Sequence, residues 1–486
     1  MGMRVVILGA GISGHTAALL LRKRLPREHE VVVVSPNSRW NWIPSNIWVG
    51  VGRMTKSDVT FELAPVYGKK SIVFHQAKAT EIHPEGDASH ERPFVVAEST
   101  APATSGERIE LDYDFLINAT GPKLNFAATP GLGPDGHSLS VCTAQHAEDT
   151  AKALDELVAA MERGENKTFV VGTGHGMCTC EGAAFEYVFN LEFELRRRRV
   201  RDKARIVFLT NEAELCDFGV GGLHLKVGGY VTPSKVFTES LFVERGVESI
   251  VGAHVHRVEP HVIHYETLDG EHHELAFDFS MLLPPFRGVP LKAFDKVGAD
   301  ITDEMFAPNG FMRVDADYTP KDPSQWRPSD WPQSYQTPRY RNVFAIGIAF
   351  APPHAISVPR KTKNGTVVAP APPRTGMPSA IMGRAVAKSV ADMILNGAPD
   401  ATAGASMAHL GAACVASAGA SSLKGTAAAM TMYPIIPDYE KYPDAGRDLN
   451  HTTGELGLAG HWIKQLLHHA FLYKAKARPF WWLIPE

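Results

Sequence analysis

The segment VVILGAGISG, residues 5–14, decides the fold of this 486-residue chain. Its β-branched run leads directly into a glycine-rich turn, after which His15–Arg24 has a helical pattern and Glu30–Val34 reads as a second strand. Together these roughly thirty residues form a βαβ unit with G-x-G-x-x-G at its first turn. The pattern predicts a Rossmann-like domain that binds a dinucleotide; a glycine-rich turn without a ligand is the alternative.

Each glycine of this turn has its own task in a dinucleotide site. Gly9 permits the tight turn, Gly11 lets the backbone approach a pyrophosphate, and Gly14 allows close packing of helix on strand. The helix N-terminus faces the pyrophosphate with the positive end of its dipole. The second strand ends in Ser35, where an acidic residue is usual, so we expect a weaker ribose contact. Ala79 either lets the backbone meet an adenine ring or is a plain strand end.

A second βαβ unit begins near residue 168. Thr168–Val171 predicts a strand, a helix follows from about Cys178 to Arg199, and Ala204–Thr210 predicts the next strand. The turn between the first strand and the helix is GTGHGM, residues 172–177, so Met177 replaces the third glycine. The pattern therefore supports nucleotide binding less strongly here than at the first turn.

Two such units in one chain resemble the flavoproteins with two dinucleotide-binding domains. In that architecture a late strand returns to the first domain, and Asn342–Gly347 fits it. Asp114–Asn118 predicts an earlier strand that runs into Thr120 and Gly121, where such flavoproteins cross between domains. We expect an α/β fold of two tandem Rossmann-like domains with a C-terminal amphipathic membrane-binding region. The expected division is a discontinuous FAD-binding domain (1–121 and 297–396), a second Rossmann-like domain with active-site cysteines (122–296), and a C-terminal region with a third cysteine (397–486).

Composition excludes several classes of protein. The chain has 49 basic and 53 acidic side chains, a net charge of −4, which gives no global attraction to nucleic acid. No stretch reaches eighteen uninterrupted apolar residues, so we expect no membrane-spanning helix. Five cysteines are too few and odd in number for a disulfide-built scaffold. The 21 histidines include the adjacent pairs 272–273 and 468–469 but no closely spaced ligand cluster, so we expect no metal. The Ala-, Gly- and Ser-rich stretch 397–430 predicts two short strands.

Cys178 and Cys180 stand at the start of the second unit's helix. Backbone N–H groups at a helix N-terminus lower a thiol pKa and favour the reactive thiolate. Alternatively, both cysteines are small, buried, unreactive side chains, and the sequence supports the two interpretations equally.

At this point the chain resembles the sulfide:quinone oxidoreductases. Residues 42–50, WIPSNIWVG, resemble the family's aromatic-x-Pro-Ser-Asn-x-Trp segment, which contains Ser45 and Asn46. The family's three cysteine motifs are matched in order by Val141–His146, Cys180–Glu186 and Ala413–Ala416. Cys178 and Cys216 are extra thiols beyond this trio.

Three further segments fit the resemblance. Residues 216–224, CDFGVGGLH, resemble the family's loop whose histidine lies near the active site. Gly347-Ile348-Ala349 replaces the Gly-Asp of disulfide reductases and type II NADH dehydrogenases. Residues 373–376, PRTG, resemble the family's Pro-Lys-Thr-Gly, and Gly376 would open a helix that stabilises negative charge on reduced flavin. They end the proline-rich segment Pro352–Pro378, which we expect to be a long surface excursion.

The resemblance implies a function. It implies two-electron oxidation of sulfide to polysulfide or sulfur, with FAD as carrier and a membrane quinone as acceptor. Cys180 and Cys414 would carry a sulfur bridge beside the flavin, Cys142 would assist sulfur release, and His146 and His224 would move protons. A type II NADH:quinone dehydrogenase is the first alternative, and it requires a working NADH site at residues 172–174. A non-catalytic flavoprotein recruited to membranes is the second.

The C-terminus reads independently as a membrane-surface element. One helical face carries five apolar residues: Ile463, Leu466, Leu467, Ala470 and Phe471. Four cations lie around it: Lys464, Lys474, Lys476 and Arg478. With the aromatic tail FWWLI, residues 480–484, the pattern predicts a helix in the headgroup region of the cytoplasmic membrane. A core helix or a homo-oligomer interface is the alternative.

Overall fold

The structure is a computed structural model that describes residues 2–179, 181–419 and 425–486. Cys180, a residue of the expected site, lies outside the described residues. The α-helices of the described part are α1 (Ile12–Arg24), α2 (Asn46–Gly50), α3 (Lys56–Val59), α4 (Leu63–Lys70), α5 (Ala144–Glu162), α6 (Glu181–Arg197), α7 (Ser234–Arg245), α8 (Thr302–Met305), α9 (Gly376–Asn396) and α10 (Leu458–Ala475).

The first sheet is built around the N-terminal strand. Its strands, in spatial order, are Val343–Ala345, Phe115–Asn118, Arg4–Leu8, Glu30–Ser35, Val73–His83, Phe94–Ser99 and Arg108–Asp112, and Lys292–Ala293 also pairs with Val73–His83. The first five are parallel and the last two antiparallel. The β-branched strands 4–8 and 30–35 are almost fully buried, as expected of parallel strands covered on both faces. The predicted late strand and its neighbour 115–118 are confirmed.

The second sheet belongs to the second βαβ unit. Its parallel strands, in spatial order, are Val247–Ile250, Ala204–Leu209, Lys167–Thr173 and Phe279–Leu283. Beside it lies an antiparallel sheet of His254–Glu259, Val262–Glu266 and His272–Ala276. Helix α6 begins at Glu181, three residues later than its sequence pattern suggests, so Cys178 lies in the turn and not in the helix.

The C-terminal region forms a third layer over α6. Its antiparallel strands are Ala412–Ala418, Thr426–Met432 and Gly454–Gly457. Two of them confirm the strand pair predicted between residues 397 and 430. Small side chains let the pair lie close to α6, and α10 packs against all three strands.

Short two-stranded pairs account for the remaining strands of the described residues. They are Arg39–Asn41 with Thr60–Glu62, Pro122–Leu124 with Phe286–Gly288, His224–Val227 with Tyr230–Pro233, and Arg360–Lys361 with Val367–Val368. No helix within the described ranges is both long and apolar enough to cross a bilayer.

Candidate active site

The first glycine-rich turn has the backbone geometry that its sequence predicts. Gly9 has φ +102°, and a Cβ there would lie 2.2 Å from the Ala119 carbonyl oxygen. A Cβ at Gly14 would lie 2.1 Å from the carbonyl oxygen of Gly9. Both positions therefore require glycine, because the turn packs tightly against the neighbouring strand end and against α1.

By contrast, the space in front of Gly11 is open. A Cβ at Gly11 would meet no atom of the described residues within 4 Å, and the same holds at Gly121, which has φ +70°. Gly11 is the N-cap of α1, so the first N–H groups of that helix face the opening. A pyrophosphate fits this cradle, since it needs close backbone approach and a positive helix end.

A second helix N-terminus lies next to the first. Helix α9 begins at Gly376, and a Cβ there would be 3.0 Å from Ile12 Cδ1 in the first turn of α1. Gly347, with φ +66°, comes so close to α1 that a Cβ would lie 2.4 Å from Ser13 Oγ. Arg374 donates from its guanidinium to the Ile348 carbonyl oxygen over 2.9 Å, which ties the start of α9 to the chain that follows the late strand. The sequence-predicted glycines thus converge on one cradle.

The remaining predicted cofactor residues lie at different depths around it. Ser35 is buried at its strand end and accepts a hydrogen bond from Asn37 N over 3.4 Å, and Thr120 donates to Asn118 Oδ1 over 2.8 Å. Ala79 is buried within strand 73–83. Their contacts with a cofactor stay predictions.

Ser45 and Asn46 are fully engaged with protein groups. Ser45 Oγ and His468 Nδ1 hydrogen-bond over 2.8 Å, which connects this segment to α10. Asn46 donates from Nδ2 to the Val141 carbonyl oxygen over 3.1 Å, one residue before Cys142. These two residues therefore hold the C-terminal helix and the first cysteine motif against the first domain.

The second glycine-rich turn is filled by protein. A Cβ at Gly174 would lie 2.4 Å from Leu132 Cδ1, and one at Gly176 would lie 2.7 Å from His254 Nδ1. His254 also accepts a hydrogen bond from Gly176 N over 3.1 Å, and Ala369 N donates to the Gly176 carbonyl oxygen over 2.8 Å. Side chains and the proline-rich segment therefore occupy the place where a pyrophosphate would approach.

The contact between Ala369 and Gly176 also corrects the expectation that the proline-rich segment Pro352–Pro378 lies wholly at the surface. Val368 and Ala369 are buried, and Ala371 N donates to the Cys178 carbonyl oxygen over 2.9 Å. The segment Pro352–Pro378 is therefore partly an internal cover of the second turn, while Val358 and most of its hairpin lie at the surface. Long proline-rich loops are usually external because their backbone polar groups need partners, and here the turn supplies them.

Cys414 lies against the first turn of α6. A Cβ at Gly182 would be 3.3 Å from Cys414 Sγ and 3.9 Å from the Phe218 ring. Cys414 itself is half-buried in strand 412–418. The third cysteine motif thus meets the start of the helix that follows Cys180 in sequence, although Cys180 itself lies outside the described residues.

Cys142 lies near the turn that precedes the same helix. It is half-buried, and its amide donates to Ser140 Oγ over 3.1 Å. Its thiol is close enough to Cys178 to contribute to the raised pKa of that residue. The sequence-predicted motifs around 142 and 414 are therefore brought together at the N-terminal end of α6.

The two extra thiols are buried. Cys178 donates from Sγ to the Leu283 carbonyl oxygen over 3.1 Å, and burial raises its pKa well above the usual range. Cys216 donates to Met430 Sδ over 3.7 Å, and burial likewise raises its pKa. The reactive-thiolate reading of Cys178 is therefore wrong, because desolvation outweighs the favourable backbone dipoles.

The two predicted histidines occupy unlike positions. His146 is half-buried on the first turn of α5, with Nδ1 3.4 Å from Ser140 Oγ, and burial lowers its pKa. It follows Cys142 by four residues, and Cys142 lies just before the N-cap of α5. His224 begins the hairpin 224–233 with its side chain exposed. The structure thus places His146 near a predicted cysteine and His224 at the surface.

Sequence reasoning missed a buried ion pair beside the third cysteine motif. Glu186 accepts from Lys464 Nζ over 2.9 Å with one oxygen, and from Ser417 Oγ over 2.7 Å and Ser417 N with the other. Ser417 in turn accepts from Trp48 Nε1 over 3.0 Å. Glu186 is part of the second cysteine motif, six residues after Cys180, which was the available signal.

Helix α10 is turned differently from its predicted orientation. Lys464 and Lys474 are buried, and Lys474 pairs with Glu486 over 2.6 Å. Trp462, Ile463 and Leu466 are 52%, 49% and 66% exposed. The expectation that these two lysines flank an apolar face as surface cations is wrong, because buried carboxylates bind them.

The described residues hold one group of potential metal ligands. One potential ligand atom from each of Asp269, Glu271 and His273 lies within 4.8 Å of the other two, in and beside an exposed turn. Such acidic turns are common without an ion, so the group does not define a metal centre.

Fold and turns together define a flavoprotein with two dinucleotide-type domains, of which the first is open to a nucleotide and the second is closed. The family model for pyridine nucleotide-disulphide oxidoreductases matches residues 3–197. The chain is 30% identical over 478 residues to the sulfide-quinone reductase of Aquifex aeolicus (strain VF5), covering 98% of this chain and 92% of that protein.

Solved structures give the same result. The sulfide:quinone oxidoreductase structure from Aquifex aeolicus matches with a TM-score of 0.75 at 29% identity, covering 98% of this chain and 92% of that one. NDH2 from Plasmodium falciparum matches with a TM-score of 0.63 at 13% identity, covering 99% of this chain and 97% of that one, and so shares the fold. This chain belongs to the sulfide:quinone oxidoreductase family. It is an FAD-dependent oxidoreductase, and the open first turn fits that cofactor.

Proposed function

We propose that this sulfide:quinone oxidoreductase oxidises sulfide at Cys180 and Cys414 and delivers two electrons through FAD to a quinone held in the membrane on which it docks. The observation that carries the proposal is the contact of Cys414 Sγ with Gly182, two residues after Cys180 in sequence. A third cysteine, Cys142, approaches the same end of α6.

The sulfur chemistry is an exchange at a bridge between two cysteines. Hydrosulfide attacks a sulfur atom of the bridge between Cys180 and Cys414, which leaves a persulfide on one cysteine and a thiolate on the other. When bound, FAD supplies the two-electron acceptor. Cys142 takes over sulfur for release, and His146 accepts or returns the associated protons. His224 can join this relay only if the hairpin 224–233 moves its exposed side chain inward.

The first domain holds the cofactor through backbone groups. Gly11 and the first turn of α1 would receive the pyrophosphate of FAD, and the N-terminus of α9 at Gly376 would stabilise negative charge on its ring system. Ser35, at the end of strand 30–35, would contact the ribose, and Ala79, in strand 73–83, would lie toward the adenine.

Docking on the membrane falls to exposed apolar groups of the C-terminal region. Trp462, Ile463 and Leu466 on α10 and Phe480 and Leu483 in the tail are all close to or more than half exposed. Such a surface lies in the headgroup region without crossing it. Because Lys464 and Lys474 are buried, docking rests on apolar insertion more than on attraction to anionic lipid.

An anaerobic titration of the flavin spectrum tests the proposal. Sulfide should bleach the flavin, and a short-chain quinone should restore its oxidised spectrum. NADH should leave the flavin oxidised, because Leu132 and His254 fill the second turn. Bleaching by NADH and none by sulfide would establish a type II NADH dehydrogenase instead.

A further inference from the structure

The first residue of α6, Glu181, is a carboxyl group sealed from solvent. Its exposure is 0%, and both of its oxygens lack a hydrogen-bond donor among the described residues. A buried carboxylate normally receives several donors, because an ionised group without them is strongly destabilised. The backbone N–H of Glu181 and the Asn211 amide favour the ionised form, but burial acts in the opposite sense and has the larger effect on the Glu181 pKa.

The nearest polar side chain to Glu181 is shared with other acceptors. The Asn211 amide lies close enough to favour the ionised carboxyl, but its Nδ2 donates to the carbonyl oxygens of Gly176 and Cys178, over 3.2 and 3.3 Å, and does not reach hydrogen-bond geometry with Glu181. Asn211 Oδ1 is itself a buried acceptor without a donor among the described residues. The two carboxyl oxygens of Glu181 and Asn211 Oδ1 are therefore three buried acceptor atoms, and a proton on the carboxyl adds a donor among them.

Two further carboxyl groups face the same space from the segment after strand 204–209. Glu212 is buried and accepts from Phe218 N over 2.6 Å and from Thr210 Oγ1 over 2.9 Å. Asp217 accepts from Gly219 N over 3.0 Å and from Ser357 Oγ. The donors of this segment are therefore used by Glu212 and Asp217.

The charges around the cluster favour a retained proton. Burial, with the nearby carboxyls, raises the pKa of Glu181 well above its usual range, and burial raises the pKa of Glu212 to about 8. The cations that act on the cluster, Arg360 and Arg447, interact with Asp217. On the side of the turn, the neutral thiol of Cys178 faces Glu181.

We propose that Glu181 and Glu212 form a buried proton-holding pair that keeps the sulfide site free of negative charge, and that their ionisation sets the alkaline limit of hydrosulfide oxidation. This inference rests on the proposed function. Glu181 follows Cys180 directly, and the next residue, Gly182, lies against Cys414 Sγ. Hydrosulfide is an anion, so an ionised pair at this position repels it in a low-dielectric space. The pair acts by positioning charge and exchanges no electrons.

The test compares rates of flavin reduction by sulfide across pH. The wild-type holoenzyme is mixed anaerobically with sulfide from about pH 6 to about pH 10, which brackets the Glu212 value. The variant is Glu181→Gln/Glu212→Gln, whose amides keep the shape and cannot ionise. The ratio of variant rate to wild-type rate should rise at least about tenfold over this range, because ionisation slows only the wild type. Ionisation of sulfide itself cancels in that ratio.

A matched control and a second measurement keep the test decisive. Glu239→Gln removes an exposed carboxylate on α7, and its rate ratio should stay constant with pH. If the double variant does not fold, infrared spectra of the wild type and of Glu181→Gln replace it: the wild type should show the carbonyl band of protonated carboxylic acids at neutral pH, and the band should be weaker in the variant, in which Glu212 alone of the pair remains. Absence of that band overturns the inference.

The outcomes separate the two claims. Wild-type flavin that sulfide leaves oxidised at every pH overturns the proposed function and this inference with it. Normal reduction by sulfide with a pH-independent ratio for the double variant overturns this inference alone.

Discussion

Lys464 on α10 donates from Nζ to Glu186 on α6 over 2.9 Å, with side-chain exposures of 11% and 7%. This ion pair joins the C-terminal helix to the helix that begins beside the cysteine site. The carboxylate has donors on both oxygens, since Ser417 binds the other one. A buried pair of this kind depends on both members, because either one alone is an uncompensated charge.

Removing one member of this pair should therefore lower the free energy of unfolding more than removing both. We expect Lys464→Met to lower the free energy of unfolding by about 3–5 kcal/mol, and Glu186→Gln/Lys464→Met to recover much of that loss. Denaturant unfolding of the flavin-loaded protein measures both. Lys152→Met, which removes an exposed lysine of α5, is the control and should change stability little. A double variant as unstable as the single would contradict the pairing.

Filling the open space at Gly11 should expel the cofactor and spare the fold. We expect Gly11→Leu to be folded but largely free of FAD, because its side chain takes the place of the pyrophosphate. Gly14→Ala is the contrasting variant: its Cβ would lie 2.1 Å from the Gly9 carbonyl oxygen, so it should destabilise the domain itself. Flavin absorbance per chain and thermal unfolding distinguish the two effects. Full flavin occupancy in Gly11→Leu would contradict the assignment of the space at Gly11 to the FAD pyrophosphate.

Serine variants should show which cysteines are needed for flavin reduction by sulfide. Cys180→Ser and Cys414→Ser should each abolish sulfide-driven bleaching of the flavin, because a hydroxyl cannot exchange sulfur. Cys178→Ser should reduce the rate by less than about tenfold, since the Cys178 thiol is buried and protonated. Stopped-flow absorbance after mixing with sulfide gives the rates, and unchanged FAD content shows that each variant is folded. If Cys178 were essential and Cys180 dispensable, Cys178 rather than Cys180 would form the sulfur bridge with Cys414.

The exposed face of α10 should carry membrane docking. Replacing Trp462, Ile463 and Leu466 by serine should reduce co-sedimentation with liposomes and turnover of a lipid-soluble quinone, while sulfide still bleaches the flavin. Val243→Ser, at an 82% exposed position on α7, is the control and should leave both properties intact. Undiminished sedimentation and quinone turnover in the triple variant would leave an oligomer interface as the use of this face.

Deleting residues 461–486 would test membrane docking less specifically than the triple substitution. The deletion would remove His468 and Trp481, which are buried, and the partner of Glu186. Loss of packing would then imitate loss of docking.

The buried carboxyl pair should also make stability fall with pH. Glu181 and Glu212 hold their protons in the folded state at pH values where the unfolded chain has released them, so folding becomes less favourable from about pH 4.5 upward. Glu212→Gln removes one such group. Its stability relative to wild type should grow by up to about 1.4 kcal/mol per pH unit, up to about pH 8. Denaturant unfolding at several pH values measures the difference, and a constant difference would show that Glu212 is ionised in the folded protein.

The parts of this protein that depend on local geometry were predictable from its amino-acid sequence. The turn at residues 9–14 was predictable because a tight turn, a close backbone approach and a helix crossing each demand glycine at a fixed position. The late strand 343–345 followed from the architecture that two such turns imply. The three cysteine motifs likewise stand in short contexts that a single sequence displays.

Tertiary contacts decided the rest. The second glycine-rich turn is closed by Leu132 and His254, which come from 42 residues before Gly174 and 78 residues after Gly176, and no local pattern reports such a contact.

Helix α10 shows the same limit, because periodicity reveals which residues share a face but not which face turns inward. Here Glu186 and Glu486 lie where α10 packs, so two of its lysines turn inward and Trp462 and Leu466 turn outward. Burial is a property of the assembled molecule, and for this reason the state of Glu181 and the reactivity of Cys178 follow from the tertiary structure alone.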